Sequence, residues 1–143
     1  MSARPIPPTS ALTEPYWESA RRGELTIQRC ADCTERAFPP RLHCPNCGGP
    51  SLTWEPVSGR GTVHSYTVAH RAPHPVFADQ LPLIVAIVAL AEGPRMVTNL
   101  VGCEPGDVEV GMAVEACFEP IDDSDAVLPM FTPTRGADST KPA

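Results

Sequence analysis

Residues 29–49 read RCADCTERAFPPRLHCPNCGG, placing Cys30, Cys33, Cys44 and Cys47 in two Cys-x-x-Cys pairs with ten residues between them. A Cys-x-x-Cys turn aims two thiolates at one point. Two such turns joined by a short hairpin supply the four soft ligands that tetrahedral Zn²⁺ accepts. Gly48 follows the second pair, where a residue lacking Cβ turns the backbone toward sulfur, while Thr34 stands at the matching place in the first. The same cysteines have two other readings, a pair of disulfides or a redox-active Cys-x-x-Cys. Disulfides need an oxidising compartment, and the opening residues MSARPIPPTSALTEPYWESARRG contain no apolar signal-peptide core, so the expectation is a cytoplasmic chain with reduced thiols. A redox pair would open a helix, which Pro45 and Gly48-Gly49 oppose. One structural zinc per chain is therefore expected, held by four protein ligands that leave no position for water or substrate.

Outward from this stretch, the N-terminal side supplies one short helix. Thr13 is placed as its N-cap, Glu14 and Pro15 in its first turn, and Gly23 as its stop. Tyr16 and Trp17 on this helix have two readings, packing on the chain's own core or docking on a partner. Residues 24–29 (ELTIQR) alternate and lead into Cys30 as a strand, and residues 51–56 (SLTWEP) form the return strand. Ser58-Gly59-Arg60-Gly61 reads as a flexible hinge before a second module.

That second module is β. Residues 62–69 (TVHSYTVA) alternate; residues 83–90 (LIVAIVAL) are continuously apolar, as in a strand covered on both faces or closing a barrel. Residues 95–101, 113–119 and 127–131 complete five strands between turns at Glu92-Gly93-Pro94, Pro105-Gly106, Gly111 and the acidic 122–125. Five short strands with one long loop after the first suit a Greek-key barrel of the OB type. The expected organisation is mainly β: residues 1–12 disordered, 13–57 helix plus zinc ribbon, 58–133 OB-fold barrel and 134–143 a loose tail.

Charge and motifs exclude several classes. The net charge of −6 is carried by the last third, where residues 103–143 hold nine acidic and two basic side chains, and Lys141 is the one lysine. A protein that tracks phosphates needs a basic stripe, so a single-strand nucleic-acid-binding module, the main rival for a zinc ribbon with an OB barrel, is disfavoured. With 42% hydrophobic residues and no apolar run of about eighteen, no membrane span is expected. Gly-x-Ser-x-Gly, P-loop, Gly-x-Gly-x-x-Gly and His-Glu-x-x-His are all missing. Cys117 alternates with apolar neighbours as a small hydrophobe, and Cys103 has no neighbouring histidine to form a thiolate. The long loop carries His70, Arg71, Pro73, His74 and Phe77 at the mouth of the barrel, where OB folds bind ligands. These residues read either as a contact site, with Arg71 meeting a phosphate or a partner's carboxylate, or as a proline-stiffened surface loop with solvated histidines. His43 and His64 read as bystanders, one beside a zinc ligand and one in a strand.

Taken together, LTIQRCADC, CPNCG, GRGTVHSYTVAHRAP, PLIVAIVAL and GPRMVTNLVG, preceded by a Trp-bearing helix, resemble a bacterial and archaeal family of zinc-ribbon plus OB-fold proteins associated with thiolases and acyl-CoA metabolism. The likeness covers residues 13–133. It implies a rubredoxin-like ribbon with Cys30, Cys33, Cys44 and Cys47 as zinc ligands, and a match of His70, Arg71 and Pro73 to the family's loop after the first barrel strand. It further implies a non-catalytic accessory subunit of a thiolase-fold enzyme, either a thiolase or a lipid-transfer-protein-like aldolase of steroid side-chain degradation, in an α₂β₂ heterotetramer. In archaea, members of the family hold a thiolase beside a hydroxymethylglutaryl-CoA synthase. A stand-alone acyl-CoA-binding or hydrolysing protein is the remaining alternative, and no residue set here supplies hydrolysis.

Overall fold

The short helix α1 (Glu14–Arg21) turns Tyr16, Ser19 and Ala20 inward and packs on strands from both halves of the chain. Its start departs from the sequence reading. Thr13 occupies the N-cap position but makes no side-chain cap; its hydroxyl accepts from the Ser10 backbone N–H at 3.1 Å instead. The reason is local: Pro15 has no N–H to give, and the Tyr16 N–H already donates to the Thr13 carbonyl at 3.0 Å. This computed structural model describes residues 6–121 and 124–134. Parts of the expected disordered N-terminus and of the acidic turn, Lys141, and all but the first residue of the expected tail therefore lie outside the described residues.

Two sheets follow. In the first, β1 (Thr26–Cys30) is central between β2 (Arg36–Ala37) and β3 (Leu52–Pro56), both antiparallel to it. In the second, the order is β6-β5-β4-β7-β8, built from β4 (Arg60–Ala69), β5 (Leu83–Leu90), β6 (Arg95–Asn99), β7 (Ala113–Pro120) and β8 (Val127–Pro133). The outer strands of this sheet approach each other through a parallel bridge, Leu100 with Phe131, and the Val101 N–H donates to the Phe131 carbonyl at 2.9 Å. The result is a nearly closed five-stranded OB-fold barrel. Pro129 and Pro133 fit on β8 because the amides of 129, 131 and 133 face this seam and not β7; the Phe131 carbonyl accepts across it.

The apolar run 83–90 resolves into strict alternation. Ile84, Ala86, Val88 and Leu90 fill the barrel, while the residues between them are half-buried on its outer side. A bulge between Val63 and Ser65 displaces His64 to the surface and lets β4 coil around the barrel. One core is continuous from ribbon to barrel: Tyr16, Leu25 and Ile27 pack with Val63, Val88, Val114 and Phe131.

The expectation of a flexible hinge at 58–61 is corrected. The Ser58 N–H donates to Glu92 Oε2 at 2.9 Å, the Ala116 N–H donates to the Gly59 carbonyl at 2.7 Å, and Arg60 and Gly61 already pair with β7. Gly61 serves close approach, since a Cβ there would lie 2.6 Å from the Ala89 carbonyl oxygen and 2.7 Å from Val88 Cγ1. The glycines mark crowding, which a sequence pattern does not distinguish from looseness.

Candidate metal centre and partner surfaces

The two Cys-x-x-Cys turns are near copies of each other. In the first, the Thr34 N–H donates to the Cys30 carbonyl at 2.9 Å and the Cys30 N–H to the Glu35 carbonyl at 2.8 Å; in the second, Gly48 donates to Cys44 and Cys44 to Gly49, both at 2.8 Å. Both turns need a left-handed residue at the same place. Gly48 supplies it with φ 81° and Thr34 with φ 68°, the one non-glycine positive φ among the described residues. Thr34 thus reproduces the geometry that its residue type disfavours.

The turns bring Cys30, Cys33, Cys44 and Cys47 together, with all four sulfurs within 4.8 Å of one another. Cys30 and Cys47 Sγ lie 3.7 Å apart, and Cys33 and Cys44 Sγ 3.5 Å. Four Zn–S bonds of about 2.3 Å in a tetrahedron require sulfur separations of about 3.8 Å, so the donor set fits this ion. Backbone N–H groups point at sulfur, from Asn46 and Cys47 to Cys44 at 3.3 and 3.4 Å and from Cys33 to Cys30 at 3.5 Å. Asn46 Nδ2 also donates to Cys33 Sγ at 3.5 Å, a contact that the sequence reading missed although Asn46 stands inside the second pair. With that amide as the main cause, and a backbone bond at Glu35 behind it, Cys33 is lowered to about 6. At Cys47 the Gly49 backbone bond acts downward, but Cys30, burial and the other thiols outweigh it and drive the group up to about 12. Four crowded thiols cannot all ionise unless a cation joins them.

The loop residues stand apart from this cluster, in the β4–β5 connection. His74 Nδ1 accepts from the Val76 N–H at 3.2 Å and caps a 3₁₀ helix over Pro75–Gln80, which the sequence reading had as plain loop. Val76 anchors this helix in the interior and Phe77 is half-buried; His70, Arg71, Pro73 and His74 are exposed. Arg71 makes no ion pair among the described residues. Of the helix aromatics, Tyr16 is only 7% exposed and belongs to the chain's own core, stacked edge-on against Trp17 at 4.8 Å and tilted against Phe38 at 5.5 Å. That burial takes Tyr16 out of the docking role and leaves Trp17, half-buried, in a surface cleft.

Both remaining cysteines are disfavoured as thiolates. Burial raises Cys103, reinforced by Asp107 and Glu104; burial likewise raises Cys117, reinforced by Glu119 and Glu115. Among the described residues no helix is long and apolar enough to cross a membrane.

Comparison with known proteins adds the following. Residues 17–53 match the family model described as ChsH2, rubredoxin-like zinc ribbon domain, and residues 54–119 match ChsH2, C-terminal OB-fold domain. The chain is 43% identical over 91% of its length to a Thermomonospora curvata protein described as "Probable enoyl-CoA hydratase alpha subunit", but spans only 40% of that relative. It is 42% identical over 70% of its length to a DUF35 domain-containing scaffold protein of Methanocaldococcus jannaschii, covering 72% of it. Among solved structures, one described as Ltp2-ChsH2(DUF35) aldolase superposes with a TM-score of 0.79 at 41% identity, covering 89% of this chain and 98% of that one.

Proposed function

The chain belongs to the ChsH2/DUF35 family of zinc-ribbon plus OB-fold proteins, and from that membership we propose that it is a non-catalytic, zinc-containing subunit of a thiolase-fold enzyme that makes or cleaves a carbon–carbon bond in an acyl-CoA. One observation carries this reading: the chain covers 98% of a chain in a structure described as an Ltp2-ChsH2(DUF35) aldolase, at 41% identity. Cys30, Cys33, Cys44 and Cys47 would hold one Zn²⁺. Bound there by four sulfurs, the ion supplies structural cross-linking and no open coordination position.

The division of labour follows from what the chain carries. Cleaving or forming a bond next to a thioester carbonyl requires a base or nucleophile and donors for the developing oxyanion. Cys103 and Cys117 are disfavoured as thiolates, so the partner is assigned those groups. The exposed Arg71, with His70 and Phe77, is assigned to a CoA ester, where a guanidinium suits phosphate. The chain's own part is to hold the β4–β5 loop in place, with Val76 as its buried anchor and His74 as its cap.

A second reading has its own observation. Two relatives described as hydratase alpha subunits, that of Thermomonospora curvata and the 3-oxo-4,17-pregnadiene-20-carboxyl-CoA hydratase alpha subunit of Mycobacterium tuberculosis at 38% identity, contain a stretch matching this chain over 40% and 35% of their lengths. The partner would then be a hydratase.

The deciding experiment is purification of the tagged chain from its native cell, with co-purifying masses and zinc read on one sample. A stoichiometric thiolase-fold chain with one zinc per subunit supports the first reading. A hydratase fold supports the second, and retained nucleic acid or CoA ester without any partner overturns both.

A further inference from the structure

α1 has a second stripe besides the one it buries. Glu14, Trp17 and Arg21 recur at helical spacing and face outward, where Ile6 and Val127 join Trp17 in lining a cleft of about 180 Å³. Arg21 Nη2 donates to Glu14 Oε2 at 3.0 Å, so these two charges satisfy each other along the edge of the cleft. Asp125, which also lines the cleft, is exposed and has no ion pair among the described residues. Ile6 is 59% exposed, which leaves an aliphatic side chain and half an indole in contact with water at one place.

Size and charge select the occupant. Small-molecule and cofactor sites begin at about 300 Å³, so the cleft is too small for a CoA ester and suits one large side chain. The charge left over in its lining is negative: Glu14 and Arg21 offset each other, and Asp125 remains. A second copy of the chain would bring the same sign of charge and be repelled.

We propose that this cleft is a docking site for the partner subunit, receiving one apolar side chain flanked by a lysine or arginine, with Trp17 as its floor and Asp125 as the counter-charge. The inference rests on the subunit reading above. It adds where the contact is made and which residue types the partner brings.

The test uses the full-length chain and the partner that co-purifies with it. Trp54→Phe leaves Trp17 as the sole tryptophan, since the chain has two. In this background, addition of the partner is expected to shift Trp17 emission to the blue. Asp125→Lys and Ile6→Ser change exposed residues, so the fold tolerates them. Each is expected to weaken association about tenfold, and Asp125→Lys is expected also to flatten its dependence on salt. Unchanged emission together with unchanged affinity of both variants overturns the docking site while leaving the subunit reading intact. No partner on the wild-type chain overturns both. An emission shift that depends on the chain's own concentration assigns the cleft to a second copy and overturns the proposal.

Discussion

Thr34 holds a left-handed backbone, φ 68°, that a β-branched residue adopts at a cost of about 1–2 kcal/mol. Thr34→Gly is therefore expected to stabilise the zinc-loaded chain by up to about 1 kcal/mol after the glycine's greater unfolded-state entropy is subtracted. Urea unfolding measures this, and an unchanged or lowered midpoint would contradict it. Asn46→Ala removes the amide that donates to Cys33 and is expected to weaken zinc affinity about tenfold, read by competition with a chromophoric chelator. At Tyr16, burial raises the phenol above its ordinary value near 10. A raised value means that the folded state keeps the proton, so stability is intact below about pH 10 and falls above it by up to about 1.4 kcal/mol per pH unit. Tyr16→Phe is expected to make this alkaline limb shallower in a pH series of thermal melts. Which residues would matter was partly legible. The four cysteines announce themselves by spacing, whereas Asn46 and the strain at Thr34 emerge only once the turns are closed.

At the scale of elements, the ribbon and the barrel are joined through β1. Cys30 ends that strand as one of the clustered cysteines, and Ile27, three residues earlier, is fully buried in the core shared with the barrel. Zinc removal by a chelator is therefore expected to lower the melting temperature of the whole chain in one transition. Two separated calorimetric transitions would show instead that the ribbon melts alone. Gly61→Ala is expected to cost more than about 2 kcal/mol, because the added methyl meets the Ala89 carbonyl across the β4–β5 pair and a backbone atom cannot turn aside. A true hinge would tolerate the same change, so an equilibrium unfolding curve separates the two accounts. Strand positions were legible because apolar alternation is a local property of the chain. The pinning of residues 58–61 was not, since Glu92 and Ala116, which hold them, are remote in sequence.

For the molecule as a whole, function is expected to appear only in company. Arg71→Ala should leave the complex assembled and raise the partner's KM for its CoA ester about tenfold, because the guanidinium is exposed and makes no ion pair within the described chain. Equal KM for the variant and parent complexes would remove Arg71 from the site. By itself the sequence determined the four-cysteine cluster, the β-rich barrel and the acidic last third, because spacing, periodicity and charge are written residue by residue. The tertiary structure alone decided that Tyr16 belongs to the core while Trp17 faces a cleft, that His74 caps a helix, and that ribbon and barrel share one interior. Adjacent aromatics on a short helix look alike in sequence. Only the packing of α1 against strands from both sheets determines which of them is withdrawn from water.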